Sequence, residues 1–244
     1  MAASLLSVNV FVLHVREGYE ERGVHMDNML GRMGIAFDYI LDGDKSDLDH
    51  ATLNRYFRGD MCEISNATSC ALKHLLAYKR IIECGLDGAL ILEDDISLRP
   101  DFAAFVESSL EECRRRGIKE CLISFEDTSM QFVPGSQRRK WMKIYKAQRD
   151  RFAGCYYISA GCARQILDYV ASYKCHLPID LFHTHLIEAI DFPYYWSHPT
   201  VATQGSKDGR FGSSISARDH NRRKYLRISH PLKLLYKRLL YRLK

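Results

Sequence analysis

The feature that most constrains this chain is the segment Ala89-Leu-Ile-Leu-Glu-Asp-Asp-Ile96, in which an apolar run ends in three consecutive carboxylates. A short apolar run of this kind is typical of a strand that is buried on both faces, as in a parallel sheet. In open α/β sheets, ligands bind at the carboxyl ends of the strands, which is where these carboxylates would emerge. The segment therefore indicates either a ligand site at the edge of a sheet or a solvated acidic turn ahead of a helix that begins near Pro100.

The alternation of side chains along a strand predicts that Glu93 and Asp95 share one face, with Asp94 on the other. Two carboxylates on one face can hold a hard divalent cation such as Mn²⁺ or Mg²⁺, and the cation can in turn hold a diphosphate. The sequence has no G-x-G-x-x-G motif after the first predicted strand and no Walker-type loop, which are the usual backbone cradles for phosphates. Glu93 and Asp95 are therefore the candidate metal ligands.

Predicted strands alternate with predicted helices, which favours an α/β fold with a mainly parallel central sheet flanked by helices. Asn66 and Ser159 are the predicted N-caps of two of the helices. Residues 126–150 lack any periodicity and are predicted to form a long loop. The predicted strands cover residues 8–15, 35–40, 89–96, 121–125, 154–159 and 194–196, and the predicted helices cover residues 19–33, 66–85, 100–117, 159–171 and 178–189.

The net charge of +5 conceals an asymmetry, because residues 218–244 hold ten Lys or Arg and one acidic residue. This divides the chain into a main domain, residues 1–217, and a basic tail, residues 218–244. Leucines recur after Pro231 at spacings of three and four, which predicts a basic amphipathic helix suited to an anionic membrane surface. The alternative is a helix that packs on the protein's own core. No nucleic-acid reader motif accompanies the charge, so nucleic acid is not an expected partner.

Eight cysteines are scattered through apolar segments without a C-x-x-C pair. This pattern favours free, largely buried thiols in a reducing cytoplasm and argues against both a disulfide framework and a zinc site. The sequence also lacks a run of 18 or more apolar residues, so no transmembrane helix is expected.

A family resemblance enters with Cys70-Ala-Leu-Lys-His-Leu-Leu-Ala-Tyr-Lys79, which is followed ten residues later by the acidic segment. Asp42-Gly43, Gly154-Cys-Tyr-Tyr-Ile-Ser159, Leu177-Pro-Ile-Asp180 and His198-Pro199 with Gln204 extend the pattern. Together they resemble the glycosyltransferases of family 25, which include bacterial lipooligosaccharide galactosyltransferases and the related collagen galactosyltransferases. The chain departs from the family at Lys73, where a serine is usual, and matches it loosely around His14 and Val15.

The resemblance implies a GT-A-like fold and the transfer of a hexose, with inversion, from a nucleotide-sugar donor to a glycan acceptor. The expected donor is UDP-galactose, and the expected acceptor is a lipooligosaccharide or lipopolysaccharide on the cytoplasmic face of the inner membrane. Mn²⁺ or Mg²⁺ is expected on Asp95, with Glu93 beside it. The residues expected near the donor are His14, Val15, Asp42, Lys73, His74, Glu93, Asp94 and Gln204.

Inversion needs one base that takes the proton of the acceptor hydroxyl. The resemblance favours Asp180, whose alternative role is to cap the helix that follows it. Glu126 and Asp127, after the strand at residues 121–125, are rival bases or else solvated loop carboxylates. His74 is either a donor contact or a packed core histidine, and Asp42 either contacts ribose or forms an Asp-Gly turn.

Two other classes of function fit the same residues. A protein that kept the fold without turnover would bind a nucleotide sugar or a glycan and release no UDP. A glycosidase also uses paired carboxylates but needs neither nucleotide nor metal. A carboxylate triplet at the end of a strand in a β-α-β pattern favours the transferase.

Overall fold

The computed structural model describes residues 6–128, 131–205 and 236. The tail at residues 218–244 lies outside the described residues apart from Tyr236, so its amphipathic helix and the domain boundary at residue 217 remain predictions. Within the described ranges, no helix has both the length and the apolar character that crossing a bilayer requires.

The chain forms nine strands and six α-helices within the described residues, joined in several places by short 3-10 turns. In chain order, the strands are β1 (Asn9–Leu13), β2 (Asp38–Ile40), β3 (Gly88–Glu93), β4 (Ile96–Leu98), β5 (Leu122–Ser124), β6 (Ile144–Lys146), β7 (Cys155–Ser159), β8 (Tyr194–Ser197) and β9 (Ala202–Gln204). The helices are α1 (Glu20–Arg32), α2 (His50–Tyr56), α3 (Asn66–Glu83), α4 (Phe102–Arg115), α5 (Ala160–Tyr173) and α6 (Ile179–Ile190).

Seven strands form one sheet in the order β2-β1-β3-β7-β5-β8-β6. β1 pairs in parallel with β2 and β3, and β5 pairs in parallel with β8, whereas β7 and β6 are antiparallel to their neighbours. All strands of this sheet except β6 and β7 therefore run in one direction. The predicted α/β class with a mainly parallel central sheet is confirmed.

Helices cover both faces of the sheet, and the alternation along β3 determines which core each side chain enters. Ala89 and Ile91 pack in a core with α3, α5 and α6. Leu90 and Leu92 pack in a second core with α1 and α4. All four of these side chains are completely buried, as expected of a strand with an apolar run and no polar alternation.

The acidic segment is not one continuous strand. β3 ends at Glu93, Asp94 and Asp95 form a turn, and Ile96 begins β4, which pairs antiparallel with β9. The register places Ile96 opposite Gln204. This turn and the pairing that follows it bring the late segment of the chain back to the end of β3.

Two other local predictions are wrong and one is confirmed. Ser65 and not Asn66 is the N-cap of α3, since its side-chain oxygen accepts from the backbone N–H of Thr68 at 3.1 Å. Ser159 caps α5 as predicted. The predicted loop at residues 126–150 contains the 3-10 turn Gly135–Gln137 and the edge strand β6, which is too short to give a periodic pattern.

Leu75 lies on the buried face of α3 and is fully inaccessible to solvent. We expect Leu75→Ala to lower the free energy of unfolding by about 2–5 kcal/mol, because it leaves a cavity between α3 and the sheet. Urea denaturation followed by circular dichroism measures the change. Lys79→Ala, at a partly exposed position of the same helix, should change stability by no more than about 0.5 kcal/mol. Equal losses in both variants would contradict this assignment of the core.

Candidate functional site

A cavity of about 290 Å³ opens at the carboxyl ends of β1 and β3. Its walls come from the segment after β1, from α1, from the first half of α3 and from the end of β3, and they include Val15, Arg22, Lys73, Glu93 and Asp94. The neighbouring parallel strands β1 and β3 bring residues that are about 80 positions apart in the chain into this space. This is the place where open α/β sheets bind ligands.

Glu93 and Asp94 point to opposite sides of the strand end, as the predicted alternation requires. Glu93 Oε1 faces α3, where it lies 3.5 Å from His74 Nε2 and 3.6 Å from Cys70 Sγ. The other oxygen of Glu93 accepts a hydrogen bond of 3.0 Å from the side-chain amide of Gln204. Glu93 is therefore oriented by a residue from β9, far away in the sequence.

Asp94 faces the other side and is 4% exposed. Its two oxygens lie 2.8 Å from His14 Nδ1 and 2.9 Å from Arg22 Nη1. A carboxylate bound on both oxygens by these groups fixes the segment after β1 and the start of α1 against the end of β3. Arg22 is a residue of the site that sequence reasoning missed.

The charges of three carboxylates converge on Cys70. Burial raises the pKa of the Cys70 thiol well above its ordinary value, and Glu93, Asp180 and Asp95 raise it further by their charge. Of these three carboxylates, Glu93 is the one in contact with Cys70, at 3.6 Å from its Sγ. Asp95 is itself buried, and its backbone oxygen accepts from the N–H of Gly205 at 2.7 Å.

Lys73 lines the cavity, but its ammonium group is occupied by the protein. Its Nζ lies 2.8 Å from Asp44 Oδ1 and donates to the backbone oxygens of Leu41 and Asp42, at 2.8 and 3.2 Å. Burial raises the pKa of Asp44, but hydrogen bonds from Lys73 and Arg16 outweigh burial, so the pKa falls below its ordinary value. Lys73 therefore holds the segment after β2 in place.

Asp42 has an exposed side chain, and Gly43 follows it with a φ of 93°. A residue with a side chain would be strained at that backbone angle. The backbone therefore requires glycine after Asp42, whereas the Asp-Gly turn and the contact between Asp42 and a ribose both stay predictions.

His74 is fully buried. Its Nδ1 lies 2.7 Å from the hydroxyl of Tyr156, and burial lowers the pKa of the imidazole, which is therefore neutral. His74 is thus a packed core histidine whose second nitrogen faces the Glu93 carboxylate.

The three candidate bases differ in their surroundings. Glu126 is fully buried, and its Oε2 accepts from the backbone N–H of Gly154 at 2.8 Å. Asp127 is half-buried, and its backbone N–H bonds to Ala202. Asp180 is half-buried in the first turn of α6, where its Oδ1 accepts from the N–H of Leu181 at 2.9 Å.

Gly154 explains how Glu126 and Gln204 approach each other. A Cβ at this position would lie 2.7 Å from Gln204 Nε2 and 2.8 Å from Glu126 Oε2. The backbone at Gly154 must therefore carry no side chain, and its carbonyl accepts from the N–H of Glu93 at 2.9 Å.

The chain offers one group of metal-ligating side chains among the described residues, formed by Cys70, His74 and Glu93, whose ligand atoms lie within 4.8 Å of one another. Sequence reasoning took Glu93 and His74 as site residues but missed Cys70. The spacing of four between Cys70 and His74, which places both on one face of a helix, was the available signal. All eight cysteines are free thiols, five of them buried.

The chain was compared with curated sequences and with solved structures. No curated protein sequence matches the chain. A protein described as a glucose-1-phosphate thymidylyltransferase from Bacillus anthracis, solved in complex with sucrose, is 15% identical with a TM-score of 0.37, over 80% of this chain and 70% of that one. The inositol-1-phosphate CTP transferase from T. maritima is 11% identical with a TM-score of 0.33, over 89% and 75%. At these values neither likeness bears on activity.

The family comparison is decisive. Residues 17–183, more than half of the chain, match the family described as glycosyltransferase family 25 (LPS biosynthesis protein). This range includes α3, the acidic end of β3 and Asp180. The resemblance inferred from the sequence is confirmed, and the chain belongs to glycosyltransferase family 25.

Proposed function

We propose that this family 25 glycosyltransferase is a metal-dependent, inverting enzyme that transfers galactose from UDP-galactose to a lipooligosaccharide or lipopolysaccharide acceptor. The observation that carries the proposal is a cavity at the carboxyl ends of parallel strands, lined by Glu93 and Asp94 and followed in the chain by the buried carboxylate of Asp95. Paired acids of this kind supply a place for a cation on one side and a base on the other.

The charge that lines the cavity suits a nucleotide sugar. The cavity volume of about 290 Å³ is close to the lower limit of roughly 300 Å³ for small-molecule sites. Lys45 lines the cavity with a positive charge, which favours a diphosphate. Because the charge of Asp94 is already offset by Arg22, the acidic cluster does not repel the donor as strongly as three unpaired carboxylates would.

The residues present fit a divalent cation. Glu93 has a side chain that is 24% exposed at the cavity, and Asp95 contributes a second negative charge next to it. Carboxylate oxygens are the ligands that Mn²⁺ and Mg²⁺ prefer. When bound, the cation would neutralise the charge that develops on the departing diphosphate.

Asp180 is the preferred base. Its carboxylate acts on Cys70 from α6, which is a different element from the strand that carries the acidic turn. Glu126 is less suited to proton transfer, because it is fully buried and bonded to the backbone of Gly154. Asp180 would take the acceptor hydroxyl proton as the new glycosidic bond forms and the diphosphate leaves.

The donor and the cation can be tested together by thermal unfolding. UDP-galactose with Mn²⁺ should raise the Tm, because ligand at 100 times Kd stabilises the native state by about 2.7 kcal/mol. UDP-galactose without metal, or UDP-glucose with Mn²⁺, should produce a much smaller shift. Asp95→Asn should abolish the metal-dependent shift and lower the rate of UDP release roughly 100-fold or more.

Asp101→Asn is the matched control for Asp95→Asn. Asp101 is an exposed carboxylate paired with Arg99, so its amide should leave both the shift and the rate unchanged. Full turnover of Asp95→Asn with saturating donor, or a Tm that ignores UDP-galactose with Mn²⁺, would refute the proposed chemistry. Donor binding without UDP release in the presence of acceptor would indicate a binding protein.

The role of Asp180 is tested by Asp180→Asn. Asparagine can still accept the bond from the Leu181 N–H, so stability and the donor-dependent Tm shift should be retained. The loss of the base should lower kcat by roughly 10²- to 10⁴-fold. Asp168→Asn, at an exposed position of α5, is the control; a normal kcat for Asp180→Asn would exclude it as the base.

We also propose that the protein works at the cytoplasmic face of the inner membrane, held there by the basic tail. Lys237→Glu combined with Arg238→Glu should reduce binding to anionic lipid vesicles by roughly tenfold or more, since each basic residue near the surface contributes about 1 kcal/mol. Vesicle flotation measures the bound fraction. Reversing exposed Arg115 and Lys119 should have little effect, and equal binding to zwitterionic vesicles would argue against the electrostatic part.

A further inference from the structure

We propose that Cys70 Sγ, His74 Nε2 and the Glu93 carboxylate form a site for a divalent cation of the zinc class, such as Zn²⁺ or Co²⁺, at the base of the cavity. The inference rests on the proposed function for its place in catalysis, because it adds a sulfur and a nitrogen ligand to the cation expected at Glu93. Binding of the ion itself requires no transferase activity.

The three ligand atoms lie within 4.8 Å of one another, and the two separations from Glu93 fit one ion. His74 Nε2 lies 3.5 Å from Glu93 Oε1, and Cys70 Sγ lies 3.6 Å from the same oxygen. The ligand atoms of a tetrahedral zinc ion are roughly 3.3–3.8 Å apart, given metal–ligand bonds of about 2.0–2.3 Å. Three protein ligands with one open position is also the pattern of zinc sites that admit a further ligand.

A second, independent observation is the state of His74 Nε2. This nitrogen is fully buried and has no hydrogen-bond partner, although it points at Glu93 from 3.5 Å. A buried polar atom without a partner costs about 1–3 kcal/mol. A cation bound between this nitrogen and the carboxylate removes that cost.

A buried chain of hydrogen-bonding groups runs from Asp150 to His74. Asp150 lies 2.7 Å from His183 Nδ1, and His183 Nε2 lies 2.9 Å from the hydroxyl of Tyr78. The hydroxyls of Tyr78 and Tyr156 lie 2.6 Å apart, and that of Tyr156 lies 2.7 Å from His74 Nδ1.

When each group of this chain donates toward Asp150, His74 Nδ1 carries the proton and Nε2 carries a lone pair. The lone pair of His74 and the Glu93 carboxylate are then two acceptors facing each other, an arrangement that repels unless a positive charge lies between them.

Hydrogen bonds from neighbouring residues orient both His74 and Glu93. Tyr156 orients the imidazole of His74, and Gln204 holds the outer oxygen of Glu93 at 3.0 Å. Such outer partners are typical of metal sites. When the ion binds, the Cys70 thiol releases its proton to solvent and the thiolate and carboxylate together neutralise the two positive charges. Sulfur and nitrogen ligands favour Zn²⁺ and Co²⁺ over Mg²⁺.

The experiment is a titration of the full-length protein with Co²⁺ alone, in the absence of donor, followed by absorption spectroscopy. We expect a thiolate-to-cobalt charge-transfer band in the wild type that Zn²⁺ displaces. Cys70→Ser should lose the band, whereas Cys84→Ser, at the exposed end of the same helix, should keep it. Tyr156→Phe should keep the band but bind Co²⁺ roughly 10- to 100-fold more weakly.

The absence of the band from the folded wild type, or its persistence in Cys70→Ser, would overturn the site. Unchanged Co²⁺ affinity in Tyr156→Phe would overturn the assigned role of the hydrogen-bond chain. Should Cys70→Ser fail to fold, the test rests on the wild type, Cys84→Ser and Tyr156→Phe. The Co²⁺ titration contains no donor, so its result does not depend on transferase activity. A protein that shows the cobalt–thiolate band but transfers no galactose in a separate assay would contradict only the proposed function. A protein that transfers galactose but shows no band would contradict only this site.

Discussion

The site depends on the abrupt change in β3 from complete burial to charge. Four apolar side chains fix the strand between two cores, so the backbone has no freedom to move Glu93 and Asp94 away from the strand end. Each carboxylate continues one face of the strand: Glu93 meets α3, and Asp94 meets the segment after β1 and α1. The tight packing of the centre of the sheet is therefore what positions the polar groups at its edge.

Much of the fold could be predicted from the sequence, because the spacing of apolar residues distinguishes strands from helices. The long helix α3 and the buried strand β3 are examples in which pattern and burial agree. The wrong predictions concern a helix end and a short strand. Ser65 and Asn66 are both suitable N-caps, and only the geometry of the turn distinguishes them. Strand β6 has three residues and lies at a sheet edge, so no period could reveal it.

The residues of the site could be predicted only in part from the sequence, for a different reason. The acidic triplet and His74 stand out as motifs, and family resemblance adds Asp180 and Gln204. Cys70 escaped notice because zinc sites were sought as paired cysteines, whereas here a single cysteine is completed by a histidine one turn later and a carboxylate from a strand. The partners of His74 in the buried chain, such as Tyr156 and Asp150, are far apart in sequence and meet only through the packing of α3, α6 and β7.

The ion pair between Lys73 and Asp44 has a consequence for how this chain can diverge from its relatives. Lys73 replaces the serine usual in the family, and its charge is absorbed by Asp44 and two backbone oxygens. Loss of Asp44 alone would leave the buried ammonium of Lys73 with two backbone oxygens, whereas loss of Lys73 alone would leave Asp44 paired only with Arg16. A substitution at position 73 is therefore expected to be tolerated better when position 44 changes with it.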